Sequence, residues 1–115
     1  MISCADALPL TIDIARYFHS LSLVEGFDSS DPSFSPAQHR DLSGLPPAVV
    51  IAAAFDILRD QGMAYAQQLE EAGVSVISRV EAALPHSFLA MGSLSPEVSA
   101  ACERVVADIA TLLER

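Results

Sequence analysis

Two residues of the 115-residue chain, Asp56 and His86, have the types and positions needed for proton transfer. Asp56 directly follows the apolar run AVVIAAAF (48–55), and His86 follows a second strand-like segment after a short apolar link. Because neighbouring parallel strands end at the same edge of a sheet, we expect the two side chains to meet. An Asp that accepts a hydrogen bond from imidazole Nδ1–H leaves Nε2 to act as a base. The pair would form two members of an acyl-transfer triad, in the chain order Asp then His.

The elements that must position this pair follow from the hydrophobic pattern of the second half of the chain. AVVIAAAF has the length and continuous apolar character of a strand buried on both faces. The pattern after it predicts, in order, a helix over 58–72 ended by Gly73, a strand over 74–81, a loop over 84–94 and a helix starting at Ser95-Pro96-Glu97. This order predicts an α/β fold with two parallel strands.

The first half of the chain is more polar. Thr11–Leu23 has mixed three- and four-residue apolar spacing after a Thr11 cap, which predicts a helix. Residues 25–46 are rich in Ser, Asp, Pro and Gly, which is typical of a long loop. We therefore interpret 1–115 as one partial domain, with a lead-in over 1–46 and a strand–helix–strand–helix unit over 47–115. We expect both helices of that unit on one face of the sheet and AVVIAAAF at an unpaired edge.

Composition excludes several classes of protein. Fifteen acidic residues against six arginines and no lysine give a formal charge of −9, which disfavours nucleic acid and anionic membranes as partners. There is no apolar run of membrane-spanning length and no secretory leader, so we expect a cytoplasmic protein. Cys4 and Cys102 are too few and too far apart for a disulfide framework or a zinc knuckle, and we expect no metal and no cofactor.

The segment LSGLPPAVVIAAAFDILRDQGMAYAQQLEEAGVSVISRVEAALPHSFL (42–89) resembles the C-terminal part of the hormone-sensitive-lipase-like carboxylesterases, the fold-3 branch of the α/β-hydrolases. Their D-x-L-R-D-x-G pattern corresponds to residues 56–62, their H-G-F segment to 86–88, and their D-P-x-x-S-P stretch to 31–36. The resemblance implies an α/β-hydrolase sheet and hydrolysis of small acyl esters. It also implies that Asp56 is the triad acid and His86 the general base, whereas Arg59 and Asp60 shape the turn.

The chain departs from this family in three respects. Ser87 stands where the family usually has glycine, and a side chain there could disturb a tight turn. The five glycines are never four residues apart, so there is no G-x-S-x-G nucleophile elbow, and there is no H-G-G-G oxyanion loop either. We therefore expect the chain to supply the Asp and His of a serine esterase without its nucleophile, and to be inactive alone.

Other interpretations remain open at this point. Asp56 could cap the following helix, and His86 could be an ordinary loop histidine. A phospho-accepting receiver domain would need a lysine, which the chain lacks. The chain could also be a non-catalytic remnant that binds or dimerises. In the resembling family the last strand and helix often form a dimer interface, which would assign a homodimer contact to Val76, Val80 and the 98–113 stripe.

Overall fold

The computed structural model describes residues 4–24 and 26–114. Its regular elements are, in order, α1 (Ile12–Ser22), β1 (Ala48–Phe55), α2 (Arg59–Glu71), β2 (Val76–Pro85) and α3 (Pro96–Leu113), with short 3₁₀ turns at Pro36–Gln38 and Phe88–Met91. The predicted fold class, a strand–helix–strand–helix unit after a helix and a long loop, is confirmed. Residues 1–3, Glu25 and Arg115 belong to the predicted segments but lie outside the described residues.

The two strands pair in parallel, as predicted, from Ala48 opposite Val76. Pairing is regular until Ala53 lies opposite Glu81, and the next partners are Phe55 and Pro85. One residue of β1 therefore faces three residues of β2, which defines a bulge in β2. Through this bulge β2 continues to Pro85, beyond the end of the strand predicted over 74–81. Residues 84 and 85, predicted to begin a loop, therefore belong to the strand. The sequence AALP, with no alternation and a proline, gave no signal for a strand that continues through a bulge.

The helices α2 and α3 pack on opposite faces of the sheet, and the expectation that both lie on one face is wrong. Ala53 of β1 belongs to the core cluster with α3, whose other buried members are Leu84, Phe88, Val98, Ala101 and Val105. Val50 of β1 packs instead against the cluster of Leu42, Leu69 and Val74, which includes α2. Because successive side chains of a strand point to opposite faces, an all-apolar strand needs cover on both.

The free edge of β1 and the apolar side chains of α1 are largely exposed. Among residues 4–24 and 26–114 the sheet has only the two strands, so the predicted unpaired edge of β1 is confirmed for this part of the chain. α1 begins as predicted, with the Thr11 hydroxyl accepting from Ile14 N–H at 3.2 Å, yet it buries none of its residues. Tyr17, Phe18 and Leu21 are all more than half exposed. No helix within the described residues is long and apolar enough to cross a membrane.

The long loop before β1 is ordered by local polar bonds. Three aspartates each accept a hydrogen bond from the backbone N–H of the serine two residues later, in the pairs Asp28–Ser30, Asp31–Ser33 and Asp41–Ser43. In the first two pairs the serine hydroxyl also donates to the carboxylate, and this bond, with the backbone bond, lowers the pKa values of Asp28 and Asp31. Phe27 and Phe34 add an edge-to-face ring contact with centroids 4.8 Å apart. The loop is therefore shaped by turns despite its exposed side chains.

A charged cluster ties β2 to α3. Glu81, only 3% exposed, accepts hydrogen bonds from Arg79 at 2.8 Å and from Arg104 of α3. Arg79 Nη2 also lies 2.6 Å from Asp108 Oδ2. The bond from Arg104, with that from Arg79, lowers the pKa of Glu81 although burial opposes the shift. The buried carboxylate is therefore matched by two guanidinium groups, as buried charges require.

Because the pKa of Glu81 is lower in the folded than in the unfolded chain, its contribution to stability is complete above the unfolded value, about 4.3. That contribution is lost as the pH falls through the folded value. We expect Glu81→Gln to lower the free energy of unfolding at pH 7 by about 1–3 kcal/mol and to flatten its decline between neutral and acidic pH. Urea unfolding followed by circular dichroism at several pH values measures both effects.

Glu103→Gln is the matched control, because Glu103 lies exposed on α3, next to Arg104. It should change the free energy of unfolding at pH 7 by less than about 0.5 kcal/mol. Equal effects of the two substitutions would contradict the assignment of a stabilising charge cluster to Glu81.

Candidate active site

The ends of the two parallel strands place Asp56 and His86 side by side. Phe55, the last residue of β1, is the register partner of Pro85, the last residue of β2. Asp56 and His86 are the next residues of the two strands, so they share one edge of the sheet. His86 Nδ1 lies 2.8 Å from Asp56 Oδ2. The structure therefore brings together the two residues that the sequence predicted to meet.

The direction of this bond follows from the chemistry of the partners. A carboxylate accepts hydrogen bonds, so His86 donates through Nδ1–H, and in the neutral tautomer that makes this bond Nε2 carries no proton. The Asp56 side chain is 12% exposed and the His86 side chain 30% exposed. The imidazole is thus held on one side by a largely buried acceptor while it keeps access to solvent. This arrangement suits a general base.

The two oxygens of the Asp56 carboxylate have different partners. Oδ1 accepts from Leu58 N–H at 2.8 Å, at the start of α2, whereas Oδ2 contacts His86. Leu58, the residue that precedes α2, has no side-chain capping bond of its own. Asp56 therefore closes the turn before α2 and does not cap the helix itself, and this bond and the pairing with His86 use different oxygens of one side chain. The turn fixes the carboxylate in the rotation that points Oδ2 at the imidazole.

The pair lines an open hollow at the carboxyl end of the strands. The hollow has a volume of about 180 Å³ and is lined by Ile51, Ala53, Asp56, His86, Ser87, Phe88 and Leu89. Apolar side chains form most of this wall, and Asp56, His86 and Ser87 are its polar part. Ligand sites in α/β sheets lie at this end of the strands. A second hollow of about 240 Å³, near His39 and Glu71, contains neither residue of the pair.

The backbone on either side of His86 adopts the left-handed region at two residues that are not glycine. Ala83, within the bulge, has φ +59°, and Ser87 has φ +61° and ψ +23°. The Cβ atom makes this conformation unfavourable for both residues. Ser87 therefore replaces the family's usual glycine at a position where the backbone conformation favours glycine.

The structure also shows contacts that sequence reasoning missed. The carbonyl of Ala54 accepts from Arg59 Nη1 at 3.0 Å and from the Cys4 thiol at 3.6 Å. Sequence reasoning assigned Arg59 to the turn without a partner, and gave no role to Cys4. The other histidines lie in different surroundings: His19 contacts the ring of Phe34, and His39 Nδ1 accepts from Asp41 N–H. The described part of the chain holds no group of three metal-binding side chains.

Comparison with known proteins gives the family. Residues 2–90 match the family model described as the α/β-hydrolase fold. The chain is 42% identical over 91 residues to the ethyl acetate hydrolase of Pseudomonas putida and 36% identical over 85 residues to the hormone-sensitive lipase of Ictidomys tridecemlineatus. It superposes on an ester hydrolase from the metagenome of Lake Arreo with a TM-score of 0.88 and 28% identity. The chain belongs to the fold-3 branch of the α/β-hydrolases, as the resemblance implied.

The chain matches only a C-terminal portion of these longer proteins. The aligned part covers 79% of the chain and 29% of the ethyl acetate hydrolase, and 72% of the chain and 11% of the hormone-sensitive lipase. The Lake Arreo superposition covers 97% of the chain and 36% of that protein. The sequence thus spans about a third or less of the relatives that it matches.

We expect Ser87→Gly to raise the free energy of unfolding by about 1 kcal/mol, because glycine adopts a positive φ without the steric penalty of Cβ. Chemical denaturation of the chain measures this. Ser93→Gly is the control, since Ser93 follows the 3₁₀ turn that Ser87 precedes and does not have a positive φ. It should leave stability unchanged or lower it. If Ser87→Gly lowered the free energy of unfolding, the Ser87 side chain would stabilise the fold by more than its positive φ destabilises it.

Proposed function

We propose that the chain supplies the acid and the general base of a serine carboxylesterase or lipase-type hydrolase, Asp56 and His86. The single observation that carries this proposal is the 2.8 Å contact between His86 Nδ1 and Asp56 Oδ2 at the carboxyl edge of the sheet. Membership of the family supports the same chemistry, because its relatives include carboxylesterases and an ethyl acetate hydrolase. The proposed substrate is a small acyl ester.

In the proposed reaction, His86 Nε2 takes the proton of a serine hydroxyl as that oxygen attacks the ester carbonyl. The imidazolium then returns the proton to the leaving alcohol, and water releases the acyl group by the same sequence. Asp56 remains ionised, holds the ring through Nδ1 and stabilises its positive charge. Neither a metal nor a cofactor is needed for these steps.

The serine nucleophile and the oxyanion hole are not supplied by the sequence of this chain, which lacks both G-x-S-x-G and H-G-G-G. We infer that they belong to a polypeptide segment that packs against the exposed edge of β1 and the adjoining hollow. Within this chain, the proposed division is a lead-in over 1–46 and a unit over 47–115 that carries the pair. The domain is partial in this proposal because the catalytic groups are divided.

A second candidate function, association without catalysis, is favoured by the outer surface of α3. Val98 and Val105 of the predicted stripe are buried in the core, whereas Val106, Ile109 and Leu113 are exposed. Val80 of β2 is also 40% exposed. The exposed side chains of α3 form an apolar surface that would suit a homodimer. Val80 lies on the other face of the sheet, because its neighbours Arg79 and Glu81 are the residues that bond α3. Sedimentation of the chain at several concentrations distinguishes a dimer from a monomer.

The chain alone should not turn over esters, since its sequence has no G-x-S-x-G elbow to present a serine to His86. We expect the purified chain to hydrolyse a p-nitrophenyl acyl ester no faster than its His86→Ala variant. Stopped and continuous colorimetric assays measure the difference. Reproducible hydrolysis that disappears in His86→Ala would overturn this expectation and would place a nucleophile within the chain.

The proposed roles are tested in a chimera. Residues 31–115 of this chain replace the matching C-terminal segment of the Pseudomonas putida ethyl acetate hydrolase, which keeps the rest of its own sequence. We expect the chimera to hydrolyse ethyl acetate, and we expect His86→Ala or Asp56→Asn to lower kcat by about 10⁴-fold.

His39→Ala is the matched control, because His39 is an exposed loop histidine in the transferred segment. It should leave kcat within about twofold of the chimera. A folded chimera that is inactive, or that keeps its activity after His86→Ala, would refute the proposed roles.

A further inference from the structure

The carbonyl of Ala54 lies two residues before Asp56, at the point where the register of the sheet changes. Ala54 is the one β1 residue between the partners Ala53–Glu81 and Phe55–Pro85, opposite the bulge of β2. Its carbonyl oxygen accepts from Arg59 Nη1 at 3.0 Å in a partly buried position. The side chain of Arg59 therefore reaches back from the first turn of α2 to the end of β1, across the residue that bonds His86.

Arg59 is also connected to this segment through its backbone. Its N–H donates to the carbonyl of Asp56 at 3.2 Å, and Leu58 N–H donates to Asp56 Oδ1 at 2.8 Å. Arg59 thus bonds the chain on both sides of Asp56, at the carbonyl of Ala54 with its side chain and at the carbonyl of Asp56 with its main chain. The backbone that carries the Asp56 side chain is therefore held at these two points.

The guanidinium of Arg59 is itself held in place. Its Nε donates to Asp60 Oδ1 at 2.8 Å, and this bond raises the pKa of Arg59. The fork geometry of a guanidinium lets Nε bind Asp60 while Nη1 binds Ala54. Because Asp60 neutralises the charge locally, the main effect expected of Arg59 on the pair is geometric.

We propose that Arg59 is a positioning residue for the acid–base pair, acting through the Ala54 carbonyl to keep Asp56 Oδ2 aimed at His86 Nδ1. Its catalytic meaning rests on the proposed function, but its effect on the pair is a property of the chain by itself. The Arg59→Lys substitution keeps the positive charge. It does not keep the geometry, because the single ammonium group of lysine cannot make the bonds to Asp60 and to the Ala54 carbonyl in one plane as the guanidinium does.

The tautomer of His86 reports this effect directly. A neutral imidazole that donates Nδ1–H to a carboxylate is held in the Nδ1–H form, and loss of the acceptor shifts it toward Nε2–H. We would measure the tautomer ratio by long-range ¹H–¹⁵N correlation on the ¹⁵N-labelled chain at alkaline pH. Asp56→Ala sets the value for complete loss of the bond.

We expect Arg59→Met and Arg59→Lys each to lower the ratio of Nδ1–H to Nε2–H by about fivefold toward the Asp56→Ala value. Arg16→Met is the matched control, since Arg16 pairs with Asp13 on the exposed face of α1. It should leave the ratio unchanged. An unchanged tautomer ratio in folded Arg59→Met would overturn the proposal, because Arg59 would then only stabilise the fold. An unchanged ratio in Arg59→Lys alone would show that Arg59 acts on the pair through its charge and not through its geometry.

If Arg59→Met does not fold, Asp60→Asn decides the question. It leaves Arg59 present but weakens the bond that holds Nε, and Asp60 is exposed, so the fold is retained. An intermediate tautomer ratio supports the proposal, and an unchanged ratio refutes it. In the active chimera, Arg59→Met should lower kcat by about 10- to 100-fold with little change in KM. An inactive parent chimera with the tautomer effect intact would refute the proposed function alone.

Discussion

The parallel pairing of β1 and β2 is the constraint on which the candidate site depends. Parallel strands end at the same edge of a sheet, and here Phe55 and Pro85 are partners at that edge. The next residue on each strand is then within hydrogen-bonding distance of the other, which gives the 2.8 Å contact between Asp56 and His86. A shift of one residue in this register would turn the side chains to opposite faces and separate the pair. The bulge in β2 therefore matters chemically, because it decides which residue of β2 ends beside Phe55.

The same sheet explains why the chain buries so little apolar surface. α2 and α3 each pack on one face of the sheet, yet only Ala52 and Ala53 of the all-apolar strand β1 are buried. Cover is missing at the sides: the described residues add no strand beyond β1, and α1 keeps Tyr17, Phe18 and Leu21 exposed. An unpaired strand edge and an amphipathic helix with exposed apolar side chains favour association with further polypeptide. Because the chain spans 29% of the ethyl acetate hydrolase, the remainder of such a fold would provide that cover.

Sequence reasoning reached the element types, their order and the meeting of Asp56 with His86, because each depends on local pattern and on the geometry of parallel strands. It failed at the bulge, where AALP has no alternation and Ala83 adopts a conformation that its residue type disfavours. It also placed both helices on one face, although AVVIAAAF is apolar at odd and even positions alike. The bond from Arg59 to the Ala54 carbonyl could not be predicted, because the sequence does not show whether a long side chain folds back on the preceding strand or extends into solvent.

The two bonds of Asp56 differ in what they say about function. The bond from Leu58 N–H closes the turn into α2, and many chains with no catalytic role use an Asp in this way. The bond to His86 has no such structural need, because the turn is already closed and a partly exposed imidazole could be hydrated instead. An oriented imidazole with Nε2 unprotonated is useful chiefly to a reaction that moves a proton. The geometry of His86 therefore favours catalysis over simple association, while the exposed edge of β1 is expected in either case. The two functions differ in the surface that a partner uses: the edge of β1 for a segment with a nucleophile, or the outer surface of α3 for a second copy of the chain.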